Sequence, residues 1–219
     1  MTFENDGFAI LPELLSNEEC DHLVRAISGK HHSKAGSRGL LALEIVRNTA
    51  EKLRIHPALQ GLIGIDSHAV QCSLFAKGAD ANWSVTPHQD LSIPVHTPMD
   101  LPGWSGWSKK EGVWFVQPPA FVLEKLVAVR LQLDDDSSET GPLEVIPGTH
   151  RRGRLTSTDI KAHASLERHM CIVPRGGALI MRPLLIHSSG KPASTKNRRV
   201  LHYLYGPALP SGMEWASEF

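Results

Sequence analysis

The stretch TPHQDLSIPV at residues 86–95 places a histidine and an aspartate two positions apart, His88 and Asp90, at the end of a predicted strand. Side chains at positions i and i+2 of a strand project from one face, so an imidazole and a carboxylate can converge on one ion. A third ligand would come from a distant strand, and His187 in the run LLIHSS is well placed to supply it. Two imidazoles and one carboxylate are typical of the metal site of non-haem iron(II) oxygenases, whereas zinc prefers a closed or four-coordinate site.

The H-x-D spacing alone specifies this ligand set weakly. The chain has twelve histidines, so chance can produce such a pair, and the alternative is a surface histidine beside a turn aspartate. Arg198 strengthens the pattern because it begins an apolar strand shortly after His187. An arginine that enters a barrel needs an anionic partner, and its planar guanidinium suits a carboxylate. The alternative for Arg198 or Arg199 is a solvated charge at a strand end.

From Ala69 onward the sequence consists of short apolar or alternating runs that Gly and Pro interrupt, which predicts a mainly β domain. Many short strands with polar turns indicate a sandwich or barrel, and the candidate metal site selects the double-stranded β-helix, the jelly roll of cupin-like proteins. The clearest runs are AVQCSLFA (69–76), LVAVRLQL (126–133), LEVIPG (143–148), CIVP (171–174), ALIMRP (178–183), LLIHSS (184–189) and RVLHYLY (199–205), and an initial strand covers Phe8–Leu11.

The N-terminal part of the sequence predicts helices that pack on the outside of this β core. Ser16 lies three residues before Glu19, which is the spacing of a capping box and predicts a helix over Asn17–Ser28. Apolar residues at three- and four-residue steps predict a second helix over about 40–53. We therefore expect a single domain, residues 1–219, with a helical layer at about 12–60 and a jelly-roll core at about 66–206.

Residues 93–120 differ from the rest of the core because they carry three tryptophans and five prolines. The segment is too long for a tight hairpin and too aromatic for disorder, so we expect an ordered covering loop. Its tryptophans, Trp104, Trp107 and Trp114, would form either a lid over the substrate or a satellite core beneath the loop.

The composition argues against several classes of partner. Lys plus Arg and Asp plus Glu number 23 each, so no net charge attracts nucleic acid or an anionic membrane. No basic leader with a long apolar run is visible, nor any stretch of roughly 20 apolar residues, and we expect no membrane segment. The cysteines, Cys20, Cys72 and Cys171, are far apart and favour a reducing cytoplasm over a disulfide scaffold or a thiolate metal site. The expected partner is a small-molecule substrate, and the sequence does not indicate an oligomeric state.

Four separated motifs occur along the chain in a recognisable order. They are DGFAILPELLSNEECDHL (6–23), HQD (88–90), ETGPLEVIPGTHRRG (139–153), and IHSS (186–189) followed by Arg198. In their order and spacing they resemble the phytanoyl-CoA dioxygenase family of Fe(II)- and 2-oxoglutarate-dependent oxygenases. The resemblance extends from the N-terminus to about residue 206.

The resemblance implies a role for each residue that matches a motif. His88, Asp90 and His187 would bind Fe(II). Arg198, assisted by Ser189, would bind the distal carboxylate of 2-oxoglutarate.

Ser73 and Arg130 fall where the family has further contacts to the cosubstrate or pocket, a match of position and not of residue type. The strand LVAVRLQL gives Arg130 additional support, because Arg130 shares a face with Ala128 and Gln132 and lies opposite the apolar face. A mixed polar face suits a strand that lines a polar cavity. The alternative is an exposed outer face.

The resemblance therefore implies an enzyme, a dioxygenase that uses Fe(II), 2-oxoglutarate and O2 to hydroxylate a small, partly apolar molecule and releases succinate and CO2. Related halogenases have a small residue in place of the carboxylate ligand, so Asp90 favours hydroxylation or a related desaturation. Two alternatives stay open: a cupin-type metal-dependent dioxygenase or isomerase that does not use 2-oxoglutarate, and a non-catalytic jelly roll that binds a ligand without turnover.

Overall fold

The computed structural model describes residues 2–29, 36–79, 81–163, 165–210 and 212–217. The strands are β1 (Phe8–Leu11), β2 (Gly36–Ser37), β3 (His68–Lys77), β4 (Val85–His88), β5 (Ile93–Val95), β6 (Ser105–Lys110), β7 (Val113–Gln117), β8 (Val127–Gln132), β9 (Leu143–Val145), β10 (His169–Cys171), β11 (Ala178–Met181), β12 (His187–Ser189) and β13 (Arg198–Gly206). The helices are α1 (Phe3–Asp6), α2 (Asn17–Ile27), α3 (Glu44–Arg54), α4 (Ala120–Leu123) and α5 (Ser157–His163), and 3-10 turns cover Leu40–Ala42, Pro57–Leu59, Ser138–Thr140 and Thr149–Arg152.

Two antiparallel sheets pack face to face and form the jelly roll that the sequence predicts. The larger sheet has the order β1-β11-β8-β13-β3-β2, and the smaller has the order β10-β9-β12-β4. Buried apolar side chains from both sheets meet in one cluster, which includes Phe8 and Met181 from the larger sheet and Leu143 and Val145 from the smaller. The fold is mainly β, and the prediction of a jelly roll is confirmed.

The two predicted N-terminal helices are confirmed, and both cover the outer face of the larger sheet. Ser16 caps α2 through the predicted capping box: the Glu19 N–H donates to Ser16 Oγ at 3.2 Å and the Ser16 N–H donates to Glu19 Oε2 at 3.0 Å. The second helix begins later than predicted, because Leu43 is extended (φ −84°, ψ 124°) and separates a 3-10 turn from α3.

Residues 93–120 contain a third sheet where the sequence pattern predicts a loop. Strands β5, β7 and β6 pair in that order, and a turn at Glu111 and Gly112, with φ values of 50° and 84°, joins β6 to β7. Two adjacent residues with positive φ make a tight hairpin turn, for which Asn-Gly and Asp-Gly are the usual signals. Glu-Gly is not one of these signals, so the hairpin is hard to read from the sequence.

The three tryptophans of this segment are partly buried and pack against an apolar cluster beneath the third sheet. Trp104, Trp107 and Trp114 contact the cluster that includes Ile93 and Val116. This packing agrees with the prediction of a satellite core, which was the alternative to a lid over the substrate. None of the helices in the described part of the chain combines the length and apolar character that crossing a bilayer requires.

The register of three neighbouring strands places a group of polar and charged side chains on the inner face of the larger sheet, whereas the outer face is apolar. Strand β13 pairs antiparallel with β3 and β8, so Arg198 lies beside Lys77, and His202 lies between Ser73 and Arg130. These side chains share the inner face, which looks toward the smaller sheet. The alternate residues belong to the outer cluster with α2 and α3, as Leu201, Tyr203 and Tyr205 of β13 do.

Candidate metal centre

The three predicted ligands meet between β4 and β12 of the smaller sheet. His88 ends β4 and is the direct antiparallel partner of His187, which begins β12. Asp90 follows β4 and reaches both rings: its Oδ1 is 3.6 Å from His88 Nε2, and its Oδ2 is 3.6 Å from His187 Nε2. One ligand atom from each residue lies within 4.8 Å of the other two. This spacing can accommodate a single metal ion.

Backbone hydrogen bonds fix the protonation of both imidazoles. His88 Nδ1 lies 2.9 Å from the Thr86 carbonyl oxygen, and His187 Nδ1 lies 2.9 Å from the Leu185 carbonyl oxygen. A carbonyl oxygen only accepts, so Nδ1 carries the proton and the Nε2 lone pair of each neutral ring is free to bind a metal. Burial lowers the pKa of His187 to about 4 in spite of the opposing charge of Asp90, so its ring is neutral near pH 7.

Gln89, between the first two ligands, anchors this segment to the rest of the fold. Its buried amide donates to the carbonyl oxygens of Gly153 at 2.9 Å and Leu184 at 2.7 Å, and it accepts from the Leu155 N–H at 2.8 Å. The Asp90 N–H donates to the Pro183 carbonyl oxygen at 2.9 Å. These bonds hold Asp90 in place beyond the end of β4. Gln89 was not predicted from the sequence, because its hydrogen-bond partners are 64 to 95 positions away in the chain.

A pocket of about 90 Å³ adjoins the three ligands, and three buried cationic side chains line it. Lys77, Arg130 and Arg198 are 4%, 9% and 5% exposed, and no described residue forms a salt bridge with any of them. Arg198 Nε donates to the Thr140 carbonyl oxygen at 3.2 Å. The charge of Asp136 acts on all three cations but forms no salt bridge with them. Burying charges that are not directly paired is costly, so this cluster is suited to an anion that arrives from solution.

The pKa values of two of these cations reflect their burial beside other cations. Burial, together with the charges of Arg198 and Arg130, lowers the pKa of Lys77 to about 8. Burial and the charge of Arg198 lower the pKa of Arg130 to about 10. Both shifts have the direction expected when a cation is desolvated beside other cations.

Of the predicted cosubstrate contacts, Arg198, Ser189 and Arg130 line this pocket, whereas Ser73 does not. Ser189 is bound by a residue that the sequence analysis missed: Lys77 Nζ donates to Ser189 Oγ at 2.9 Å and to the Gly190 carbonyl oxygen at 2.7 Å. The period of two along β3 was an available signal, because it puts Lys77 on the same face as Ser73.

A second, larger cavity of about 310 Å³ opens beside the metal ligands. It shares Asp90 and Phe75 with the pocket of the three cations, so the two spaces meet at the candidate metal position. Its wall is mixed in character, with Ser73 and His202 from the larger sheet and the apolar side chains of Ile93, Phe115, Leu123 and Leu126. A small molecule in this cavity would lie next to Asp90.

Two structural neighbours with bound ligands have the same fold. One is the epimerase SnoN from nogalamycin biosynthesis, in complex with Fe3+, alpha ketoglutarate and nogalamycin RO, with a TM-score of 0.70 and 16% identity over 94% of this chain and 81% of SnoN. The other is HygX from Streptomyces hygroscopicus with nickel and 2-oxoglutarate, with a TM-score of 0.64 and 16% identity over 94% of this chain and 84% of HygX.

Sequence comparison adds a relative and a family. L-proline trans-4-hydroxylase from Streptomyces griseoviridis is 27% identical over an alignment of 215 positions, and the match covers 86% of this chain and 69% of the relative. The signature of the phytanoyl-CoA dioxygenase (PhyH) family matches residues 3–200. Because this match spans nearly the whole chain, the protein belongs to the phytanoyl-CoA dioxygenase family.

Proposed function

We propose that the protein is an Fe(II)- and 2-oxoglutarate-dependent dioxygenase that hydroxylates a small, partly apolar molecule and releases succinate and CO2. The observation that carries this proposal is the position of a two-histidine, one-carboxylate cluster at the junction of an anion pocket and a larger cavity. In this proposal the metal, the dianionic cosubstrate and the substrate would bind at adjacent positions.

The donor set fits Fe(II). The Nε2 atoms of His88 and His187 and one carboxylate oxygen of Asp90 would occupy one face of an octahedron and leave positions for other ligands. When bound, the iron supplies the O2 chemistry, in which one oxygen atom enters the substrate and the other enters succinate. The protein orients the ligating rings through the Thr86 and Leu185 carbonyl oxygens and holds Asp90 through Gln89 and Pro183.

The three buried cations suit 2-oxoglutarate because it carries two carboxylates. Arg198 and Lys77 lie side by side on β13 and β3, and we assign them to its distal carboxylate, with Ser189 as a further contact. Arg130 adds positive charge nearer the metal ligands. A guanidinium binds a carboxylate through two parallel hydrogen bonds, which gives both affinity and orientation.

The larger cavity would hold the substrate. Its mixed lining suits a partly apolar small molecule, and the similarity to an L-proline hydroxylase supports hydroxylation of such a molecule. Cys20, Cys72 and Cys171 are free and buried, which supports action in a reducing cytoplasm.

The test is spectroscopic and precedes any search for the substrate. Protein mixed with Fe(II) and 2-oxoglutarate without oxygen should develop the visible metal-to-ligand charge-transfer band that reports chelation of the cosubstrate by iron. His187→Ala should lose the band, since it removes a ligand. His22→Ala changes an exposed histidine on α2 and should keep it.

Two results would contradict the proposal: no band in the wild-type protein, or an undiminished band in His187→Ala. The alternatives predict other outcomes. A cupin-type dioxygenase or isomerase would keep metal-dependent activity in Arg198→Ala and would not bind 2-oxoglutarate. A non-catalytic jelly roll would keep full ligand binding after removal of the metal.

A further inference from the structure

His202 is a buried polar residue on the wall of the larger cavity, and the metal and cosubstrate assignments do not use it. It lies on the inner face of β13 with 8% of its surface exposed, between Ser73 of β3 and Arg130 of β8. Its ring packs edge-on against Phe75, at 5.7 Å between ring centroids and an interplanar angle of 89°. The ring is therefore held from three sides, while one edge borders the cavity.

Arg130 determines which nitrogen of His202 carries the proton. Arg130 Nη1 lies 2.8 Å from His202 Nδ1, and a guanidinium can only donate, so Nδ1 is the acceptor. Burial and the charge of Arg130 lower the pKa of His202 to about 3, so the ring is neutral and its proton is on Nε2. No described residue accepts a hydrogen bond from Nε2. Because Nε2 is not among the fully buried polar atoms that lack a partner, part of its surface is accessible. The Nε2–H group is thus an unused donor at the cavity wall.

A second donor stands beside it on the neighbouring strand. Ser73 is 3% exposed, lines the same cavity and is the direct partner of His202 across β3 and β13. Its Oγ accepts from Gln71 Nε2 at 2.9 Å, so the hydroxyl hydrogen is available to another acceptor. Two adjacent strands therefore present donors to one region of the cavity.

The third sheet contributes a cation to the same cavity. Lys110 forms no salt bridge with the described residues, and its Nζ lies 5.0 Å from the centroid of the Phe115 ring. Arg38 also lines the cavity, but its charge is paired with Glu111 at 2.9 Å. Asp90, the carboxylate that also lines this cavity, is assigned to the metal. The rest of the wall combines two hydrogen-bond donors with one positive charge that forms no salt bridge, a combination that recognises an anionic oxygen.

We propose that the substrate is a small carboxylic acid whose carboxylate accepts hydrogen bonds from His202 Nε2–H and Ser73 Oγ–H, with Lys110 as counter-charge. This inference rests on the proposed function, because it takes the larger cavity as the substrate site. Arg130 acts here as a positioning residue that fixes the tautomer of His202.

The test measures binding without turnover. Protein loaded with Fe(II) and 2-oxoglutarate under nitrogen is titrated by calorimetry with a panel of free amino acids and small cyclic carboxylic acids, and with the carboxamide of each. We expect at least one acid to bind roughly ten- to hundredfold more tightly than its carboxamide, since hydrogen bonds to a charged group are the stronger ones.

Two substitutions of His202 distinguish loss of the hydrogen-bond donor from a general effect on the fold. In His202→Asn the side-chain oxygen can still accept from Arg130, but no group reaches the position of Nε2, so affinity for that acid should fall about tenfold or more. In His202→Gln the longer side chain places an amide N–H near the position of Nε2 and should restore much of the affinity. His22→Asn, on the exposed face of α2, is the matched control and should bind the acid as the wild type does.

The outcomes distinguish this inference from the function on which it rests. Absence of the charge-transfer band before any acid is added would overturn both. A normal band with no acid that binds better than its carboxamide would overturn this inference alone. The same conclusion follows if His202→Asn binds the acid as tightly as the wild type, or if His202→Gln binds no better than His202→Asn.

Discussion

The two faces of the larger sheet differ in what they bury. The outer face, under α2 and α3, buries apolar side chains and two tyrosines of β13, Tyr203 and Tyr205. The inner face of the same sheet buries Lys77, Arg130, Arg198 and His202 in addition to apolar side chains that contact the smaller sheet. Apolar burial stabilises the fold, whereas charges buried without a partner destabilise it.

The difference between the two faces indicates which of them binds ligands. Several buried cations that form no salt bridge destabilise a core, and binding of an anionic ligand is the direct way to offset this. The outer face is explained by stability alone. Substitutions on the inner face should therefore change ligand affinity, and substitutions on the outer face should change the free energy of unfolding.

The largest effect is expected for Arg198. Arg198→Met should raise the Kd of 2-oxoglutarate at least about thirtyfold, because removing one member of a buried hydrogen-bonded charge pair costs roughly 2–5 kcal/mol. The Kd is measured by titrating 2-oxoglutarate into the Fe(II) protein without oxygen and following the charge-transfer band.

The neighbouring arginine provides the matched control for that experiment. Arg199 points away from the pocket, and its Nε and backbone N–H both donate to Asp134 Oδ2 at 2.8 Å. Arg199→Met should leave the Kd of 2-oxoglutarate within about twofold of the wild-type value, since surface ion pairs contribute little. A larger loss in Arg199→Met than in Arg198→Met would contradict the assignment of the inner face to cosubstrate binding.

A smaller effect, with a characteristic pH dependence, is expected for Lys77. Its pKa is lowered to about 8, so its charge is present at pH 7 and is lost as the pH rises through 8. An anion binds the charged form better, so the affinity for 2-oxoglutarate should fall roughly tenfold between pH 7 and pH 9. Titrations of the charge-transfer band at several pH values measure this change.

Two variants identify Lys77 as the source of that pH dependence. Lys77→Met should bind 2-oxoglutarate roughly tenfold more weakly at pH 7 and show little further change at pH 9. Lys77→Arg keeps a charge throughout this range and should give a nearly flat profile. A decline in Lys77→Arg as steep as that of the wild type would assign the pH dependence to another group.

The smallest effect is expected on the outer face. Tyr205 Oη donates to the Ala50 carbonyl oxygen of α3 at 2.9 Å. Tyr205→Phe should lower the free energy of unfolding by about 1 kcal/mol, the usual net contribution of a hydrogen bond, as measured by denaturant titration. The Kd of 2-oxoglutarate should not change. A loss of cosubstrate affinity in this variant would show that the two faces are not separate in function.

Much of the candidate site could be predicted from sequence because its members occur in local motifs. The spacing of His88 and Asp90, the run that contains His187, and Arg198 at a strand start are each visible within a few residues. Lys77, Gln89 and His202 were missed for a common reason. Alternation assigns Lys77 and His202 to a face of their strands, but it does not say which face is inside or which partners lie there. Gln89 follows the end of β4, and its partners lie far away in the sequence.

Local pattern and spacing were enough to predict a mainly β domain and the capping box that begins α2. The jelly roll and the three candidate metal ligands were predicted from separated motifs and their resemblance to a known family. Tertiary structure alone decided that Lys77 binds Ser189, 112 positions away, and that Arg130 sets the tautomer of His202, 72 positions away. It also decided that residues 93–117 form a third sheet beside the larger cavity. The physical reason is that the cost of a buried charge, and the role of a buried donor, depend on neighbours that distant parts of the chain supply.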